Sequence, residues 1–330
     1  MPLPRRRAER RRLRQAVLRV GPERPAAPVT GTPSLRVLTG LVLDASPHLL
    51  VVRASGGEAR VPMTDATTVW HGGRGGLAAL RPGREVVVRT GDDGLSADRV
   101  WVDIGRVTGT ILACGRDTVE VDMGPHRGRA HVVLPPHALG PVLVRHPRME
   151  PGYLFDVICV RSADGPRAVR PGTSQPGHRA DHMADAFPGP AASAGLAAAS
   201  GSAGATGGPV RGTATWFGGG EHGLAYPAVD PEGQAGGCAD APAGCAPLPV
   251  LSLGSDVAVR NECTGRAATV PVVECGCVAA RYCDRCVECG VSPRGRVAEL
   301  SAAVFAALGG DLENGCFNAT VQPAIGDARW

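Results

Sequence analysis

The sequence predicts an all-β chain: two tandem small barrel modules of OB type, a flexible linker, and a C-terminal β-barrel carrying one short helix. Three observations predict it. Apolar residues come in short alternating runs bounded by Gly, Pro, Asp and Ser. A pattern recurs at a shift of 69 residues, as from Gly40 to Gly109. The 46 glycines and 29 prolines, with an aromatic share of only 4%, favour turns and cores of Val, Leu and Ala over long helices.

Residues 1–34 read as a basic, disordered arm, since residues 1–20 carry eight arginines and one glutamate while the remainder is close to neutral. Such an arm offers nucleic acid or an anionic lipid surface a partner. The basic residues are all arginine, a composition given no functional weight. Gln15-Ala16-Val17-Leu18 is too short for the apolar region of an export signal, so none is expected. No apolar run reaches the roughly 18–20 residues that cross a bilayer, so no membrane span is expected.

Residues 35–104 form the first β-module and 105–172 the second. Thr39-Gly40-Leu41-Val42-Leu43 falls on Thr108-Gly109-Thr110-Ile111-Leu112, Pro82-Gly83 on Pro151-Gly152, and Val86 and Val88 on Phe155 and Val157, all without a gap. Each copy is expected to hold about five strands, with Pro-Gly opening the fourth and a helix-poor crossover before it (Gly75 to Leu80; Pro136 to Leu143). Trp70 and Trp101 are either nucleic-acid stacking platforms or packing residues, and packing is preferred because the second copy has Leu139 and Arg170 there. Residues 173–210 are Gly, Pro, Ser and Ala-rich, the composition of a flexible linker. The His178, Asp181, His182 and Asp185 group at its start reads as solvated linker rather than a metal site.

Residues 211–330 hold nine of the eleven cysteines. Cys275, Cys277, Cys283, Cys286 and Cys289 suit either a thiolate zinc site or disulfides. Cys238, Cys245, Cys263 and Cys316, far apart and flanked by turn residues, suit long-loop disulfides worth about 3–4 kcal/mol each. Disulfides are the preferred reading, with all nine as candidates although the odd count leaves at least one thiol free or paired outside the domain; zinc is the alternative, and otherwise no cofactor is expected. Ser301 is placed to cap a helix with Val304, Phe305 and Leu308 on one side and Gly309-Gly310 at its end.

Gly212-Thr213-Ala214-Thr215-Trp216-Phe217-Gly218, followed by Glu221-His222-Gly223, opens this region. It resembles the opening motif of the rare lipoprotein A-like and expansin-like barrels, and the later landmarks come in that family's order. Leu251 to Val259 resembles its central strand, Asn261 with Thr264-Gly265-Arg266 its hairpin, and Gly295-Arg296-Val297-Ala298-Glu299-Leu300-Ser301 its late Gly-Arg segment, with Phe317 to Val321 as closing strand. The resemblance covers about one third of the chain and implies a six-stranded double-psi β-barrel.

It also implies a catalytic acid after the central strand. Asp284, in Asp-x-Cys-x-x-Cys, is preferred; Glu274 has the family's spacing from the hairpin, and Glu299 stands where the family has Asp. A raised carboxyl pKa would let such an acid protonate a glycosidic oxygen, and one acid suffices for a lytic transglycosylase-like lyase. Thr215, Trp216, Phe217, His222 and Tyr226 would line the sugar groove. Three positions depart from the family: Ala246-Pro247-Leu248 lacks its histidine, Glu299 replaces Asp, and Phe217 replaces Tyr. The implied function is an extracellular or cell-envelope protein that binds, and cleaves or loosens, peptidoglycan or a related cell-wall polysaccharide. The alternative is a cytoplasmic, zinc-stabilised nucleic-acid-binding protein.

Overall fold

In the computed structural model, residues 32, 34–73, 75–173, 179–180, 208–218, 222–230, 246, 248–276, 278–286 and 295–323 are described. The arm before Thr32, nearly all of the linker with His178, Asp181, His182 and Asp185, and Cys238, Cys245, Cys277 and Cys289 lie outside these residues.

Valine-rich alternation produces the first module: β1 (Val37–Ser46), β2 (Leu49–Ala54), β3 (Gly57–Pro62), β4 (Thr68–Trp70), β5 (Glu85–Thr90) and β6 (Ala97–Val102). Their order is β3-β2-β1-β5-β6-β4. This sheet is open, with β3 and β4 at its two edges, where a closed barrel was expected. Asp103, in left-handed backbone (φ 47°), turns β6 into the second module. That module contains β7 (Ile104–Cys114), β8 (Thr118–Asp122), β9 (Arg129–Val133), β10 (Leu154–Val160) and β11 (Arg167–Pro171) and closes as β10-β11-β9-β8-β7.

The repeat extends to irregularities. β1 carries a bulge between Val42 and Asp44, and β7 carries one between Ile111 and Ala113, 69 residues on. The bulges of β5 at Arg89/Thr90 and β10 at Ile158/Cys159 match in the same way. A Cβ on Gly40 would lie 2.2 Å from the Arg53 carbonyl oxygen, and one on Gly109 2.0 Å from that of Asp122. Both copies therefore need glycine where the bulged strand presses on its neighbour.

The crossovers differ, and the second corrects the helix-poor expectation. The first has a single 3-10 turn at Leu77–Ala79, whereas the second forms α1 (Pro136–Arg145). Pro136, with its φ preset for the first turn, and the burial of Ala138 and Val142 on one side explain the helix.

The third unit comprises β12 (Val210–Phe217), β13 (Leu224–Tyr226), β14 (Asp256–Asn261), β15 (Ala267–Cys275), β16 (Arg296–Ser301) and β17 (Cys316–Pro323), with α2 (Ala302–Ala307) following β16 directly. It is a closed six-stranded barrel of order β12-β16-β13-β15-β14-β17. The pairs β12·β16 and β13·β15 are parallel; the rest are antiparallel. Exchanging β12–β14 with β15–β17 maps this order onto itself, the pseudo-two-fold interlocking of a double-psi barrel. Gly309 (φ 83°) ends the helix run as expected. Ser301 does not cap it: its Oγ accepts a hydrogen bond from the Gly223 N–H at 3.4 Å instead.

The barrel core is continuous with the modules. Trp70, Val87, Trp101, Ile104 and Ile158 join Trp216, Tyr226, Leu300 and Phe305 in one buried cluster. Trp101 is fully buried and donates from Nε1 to Glu313, so the module tryptophans are packing residues.

Candidate functional site

Glu274 on β15 and Glu299 on β16 are both opposite Ala225 of β13, the strand between theirs, so the barrel's own register brings two carboxylates to neighbouring places. A bulge between Thr213 and Ala214 in the β12·β16 ladder shifts the alternation of β16. Arg296 and Glu299 thereby turn towards the second module, while Ala298 and Leu300 fill the barrel.

The second module answers with charge. Arg127, on the β8–β9 turn, reaches into the carboxylate pair: Nε donates to Glu274 Oε1 at 2.9 Å, Nη2 donates to the same oxygen, and Nη1 donates to Glu299 Oε2 at 3.1 Å. Its guanidinium lies 4.4 Å from the centre of the Phe217 ring. Burial would lower the Arg127 pKa, but Glu299 and Glu274 outweigh it and hold the pKa above the ordinary arginine value.

A second group lies deeper. Arg106 donates to both Asp156 oxygens (Nε 2.9 Å, Nη2 2.7 Å), Arg296 Nη2 bonds to Asp156 and to Asp284 Oδ2, and Arg296 Nε bonds to Asp284 Oδ1 at 3.1 Å. Thr173 Oγ1 donates to Asp284 at 2.5 Å, and the Tyr282 ring lies 3.7 Å from the Arg296 guanidinium. Burial pushes the Asp156 carboxyl up, yet Arg106 and Arg296 together pull it well below the usual carboxylate range. Arg296 Nη1 lies 3.7 Å from Glu299 Oε1 and links the two groups. An unbroken line of alternating charge results: Glu274, Arg127, Glu299, Arg296, then Asp284 and Asp156, then Arg106.

The three expected acids are therefore brought together, but as members of this line. Asp284 has both oxygens engaged and is almost fully buried, so the expectation of a proton donor facing a sugar groove is corrected: Arg296 and Thr173 occupy the places a substrate would need. Phe217 stays beside the carboxylates. Trp216 and Tyr226 do not line a groove; they are core residues, with Trp216 Nε1 donating to Leu312 O at 2.8 Å and the Tyr226 hydroxyl to Pro249 O at 3.1 Å. Burial raises the Tyr226 pKa far above its ordinary value. Thr215 is buried opposite Glu299, and its Oγ1 has no hydrogen-bond partner. His222 is exposed at the turn into β13.

The Cys286 and Cys316 side chains contact one another as thiols rather than as a disulfide, which corrects the disulfide expectation at these two positions. Cys263, Cys275 and Cys283 are engaged rather than free. Among the described residues no three His, Cys, Asp or Glu side chains converge as a metal site. Sequence reasoning missed Arg106, Arg127 and Asp156. Their signal lay in the broken repeat, since the matching residues of the first module are Val37, Glu58 and Val87. The chain matches no known protein-family model and no curated protein.

Proposed function

We propose that the protein is a cell-envelope glycan-binding protein whose barrel, of rare lipoprotein A-like or expansin-like type, contacts peptidoglycan or a related polysaccharide at the edge formed by Phe217, Glu274 and Glu299. The observation that carries this reading is the pairing of two carboxylates with an aromatic ring at one barrel edge, next to a shallow pocket under the β8–β9 turn. Aromatic faces stack on sugar rings, and carboxylates accept hydrogen bonds from hydroxyl and amine groups. The reading is of binding rather than cleavage, because each expected acid is held by an arginine. Engagement of Cys263, Cys275 and Cys283 supports disulfide bridging at those positions and so an oxidising compartment.

The test is co-sedimentation of the full chain with purified cell-wall sacculi, with assay of released fragments. Wild type is expected in the pellet without release of soluble sugar, and Glu274→Gln with Glu299→Gln is expected to shift it to the supernatant. Wild-type protein that stays wholly in solution overturns the reading.

A further inference from the structure

Glu274, Glu299 and Phe217 have the composition of a cation cage, and the cage is occupied by the chain's own Arg127. Two carboxylates face one aromatic ring, and a guanidinium sits between them with three N–H···O contacts and its face towards the ring. Glu299 is 1% exposed, and its Oε1 accepts no hydrogen bond and faces Arg296 Nη1 at 3.7 Å.

Arg127 can leave without unfolding its module. Its turn is closed by its own bonds: Met123 N to Gly128 O at 2.8 Å, Gly128 N to Gly124 O at 2.9 Å, and Gly124 N to Asp122 Oδ1 at 2.9 Å. Gly124 and Gly128 both adopt positive φ, which the turn's own bonds require. The deeper group of Arg106, Asp156, Arg296 and Asp284 meets the cage through Arg296 Nη1, 3.7 Å from Glu299 Oε1, and not through Arg127 itself.

What replaces Arg127 must carry positive charge. A neutral sugar in its place would leave the buried Glu299 carboxylate without its closest cation, a costly state, whereas an ammonium restores the pair and offers its N–H groups to the oxygens that Arg127 gives up, Glu274 Oε1 and Glu299 Oε2. We infer that this cage recognises an external primary ammonium group by displacing Arg127, and that on the glycan reading above the group is the free amine of de-N-acetylated hexosamine units in the polysaccharide. The cage itself does not depend on that reading; the identity of the carrier does.

The experiment uses the full chain as wild type, Arg127→Ala, and Arg127→Ala with Glu299→Gln, with methylguanidinium chloride as the first probe. Methylguanidinium is expected to raise the thermal midpoint of Arg127→Ala and to leave the other two proteins unchanged; no shift in a folded Arg127→Ala overturns the cage. By titration calorimetry, glucosamine oligosaccharides are expected to bind Arg127→Ala at least about tenfold more tightly than wild type, since the internal competitor is gone. N-acetylglucosamine oligosaccharides of equal length are expected not to bind. Equal binding of the acetylated oligomer overturns ammonium recognition. Binding of methylguanidinium with no binding of either oligomer overturns the sugar carrier and the glycan reading while the cage stands, and binding of a lysine tripeptide in place of glucosamine moves the ammonium to a peptide. If Arg127→Ala does not fold, Arg127→Lys serves: it keeps one charge, loses the fork, and is expected to bind glucosamine oligomers more tightly than wild type, with equal affinity counting against displacement.

Discussion

Replacing Asp156 by Asn keeps the side chain's shape and removes one negative charge from a place with no solvent to compensate. Asp156 accepts from Arg106 Nε and Nη2, from Arg296 Nη2 and from Thr108 Oγ1, and the two guanidiniums are 1% and 0% exposed. After substitution, Arg296 keeps Asp284 and Glu299, but Arg106 keeps only the carbonyl oxygens of Gly172 and Gly315, so its positive charge is left without a carboxylate. Breaking a buried pair by removing one partner costs about 3–5 kcal/mol. The modules and the barrel share a buried cluster, so the loss is expected in the main transition. At about 2 °C per kcal/mol for a large cooperative unit, the midpoint is expected to fall by about 6–10 °C. Differential scanning calorimetry of wild type and variant measures it, with Arg60→Gln as control because the Arg60–Glu58 pair is 72% and 49% exposed. An Asp156→Asn midpoint within about 2 °C of wild type would refute the reasoning, because it would mean that the ionic line holds no net energy at its centre.

The same carboxyl sets an acid limb. Its folded pKa is depressed, so its stabilisation is complete above the unfolded carboxylate value of about 4 and is lost as pH falls below it; the urea midpoint should decline there in wild type, and less steeply in Asp156→Asn. Burial pushes the Cys159 thiol up to about 12, whereas Cys114 is exposed, so brief alkylation of native protein read by mass spectrometry should label Cys114 and spare Cys159. Labelling of both at equal rates would mean that the second module opens readily. Gly109→Ala places a Cβ 2.0 Å from the Asp122 carbonyl oxygen and is expected to lower the chemical-denaturation midpoint sharply, while Gly140→Ala, with open space around it in α1, is expected to leave it near wild type or raise it.

Much of the fold was legible because its causes are local and periodic. Short apolar runs mark β5 and β10, Pro-Gly opens each of them, and Gly40 and Gly109 mark the bulged strands that recur 69 residues apart. Alternation in β12 could also have separated its aromatics: Trp216 and Phe217 are adjacent in a strand, so one enters the core while the other faces the second module. The ionic line was not legible in the same way. Glu274, Glu299 and Asp284 stand out in a short acidic pattern, but Arg127 is 147 residues from Glu274 and one arginine among 35 basic residues. Long-range pairing has no local period, so nothing near Arg127 announces its partner. The crossover helix α1 was not legible either: it tolerates Pro141, which removes only one N–H from a helix anchored by buried Ala138 and Val142.

The two modules diverge at the residues that meet the barrel as well as in their crossovers, and the first of these differences explains why one repeated unit serves in two places. The first module docks through Arg89, Arg99 and Trp101, which bind Gly310, Asp311 and Glu313 after α2. In the second module the matching positions are Ile158, Ala168 and Arg170, and its docking falls instead to Arg106, Arg127 and Asp156, whose counterparts are Val37, Glu58 and Val87. Exchanging the modules would bring Glu58 towards Glu274 and Glu299 and leave Arg296 without Asp156. Like charges would then meet at the cage while a buried guanidinium lost one of its two carboxylates, so charge pairing gives each copy its own side of the barrel.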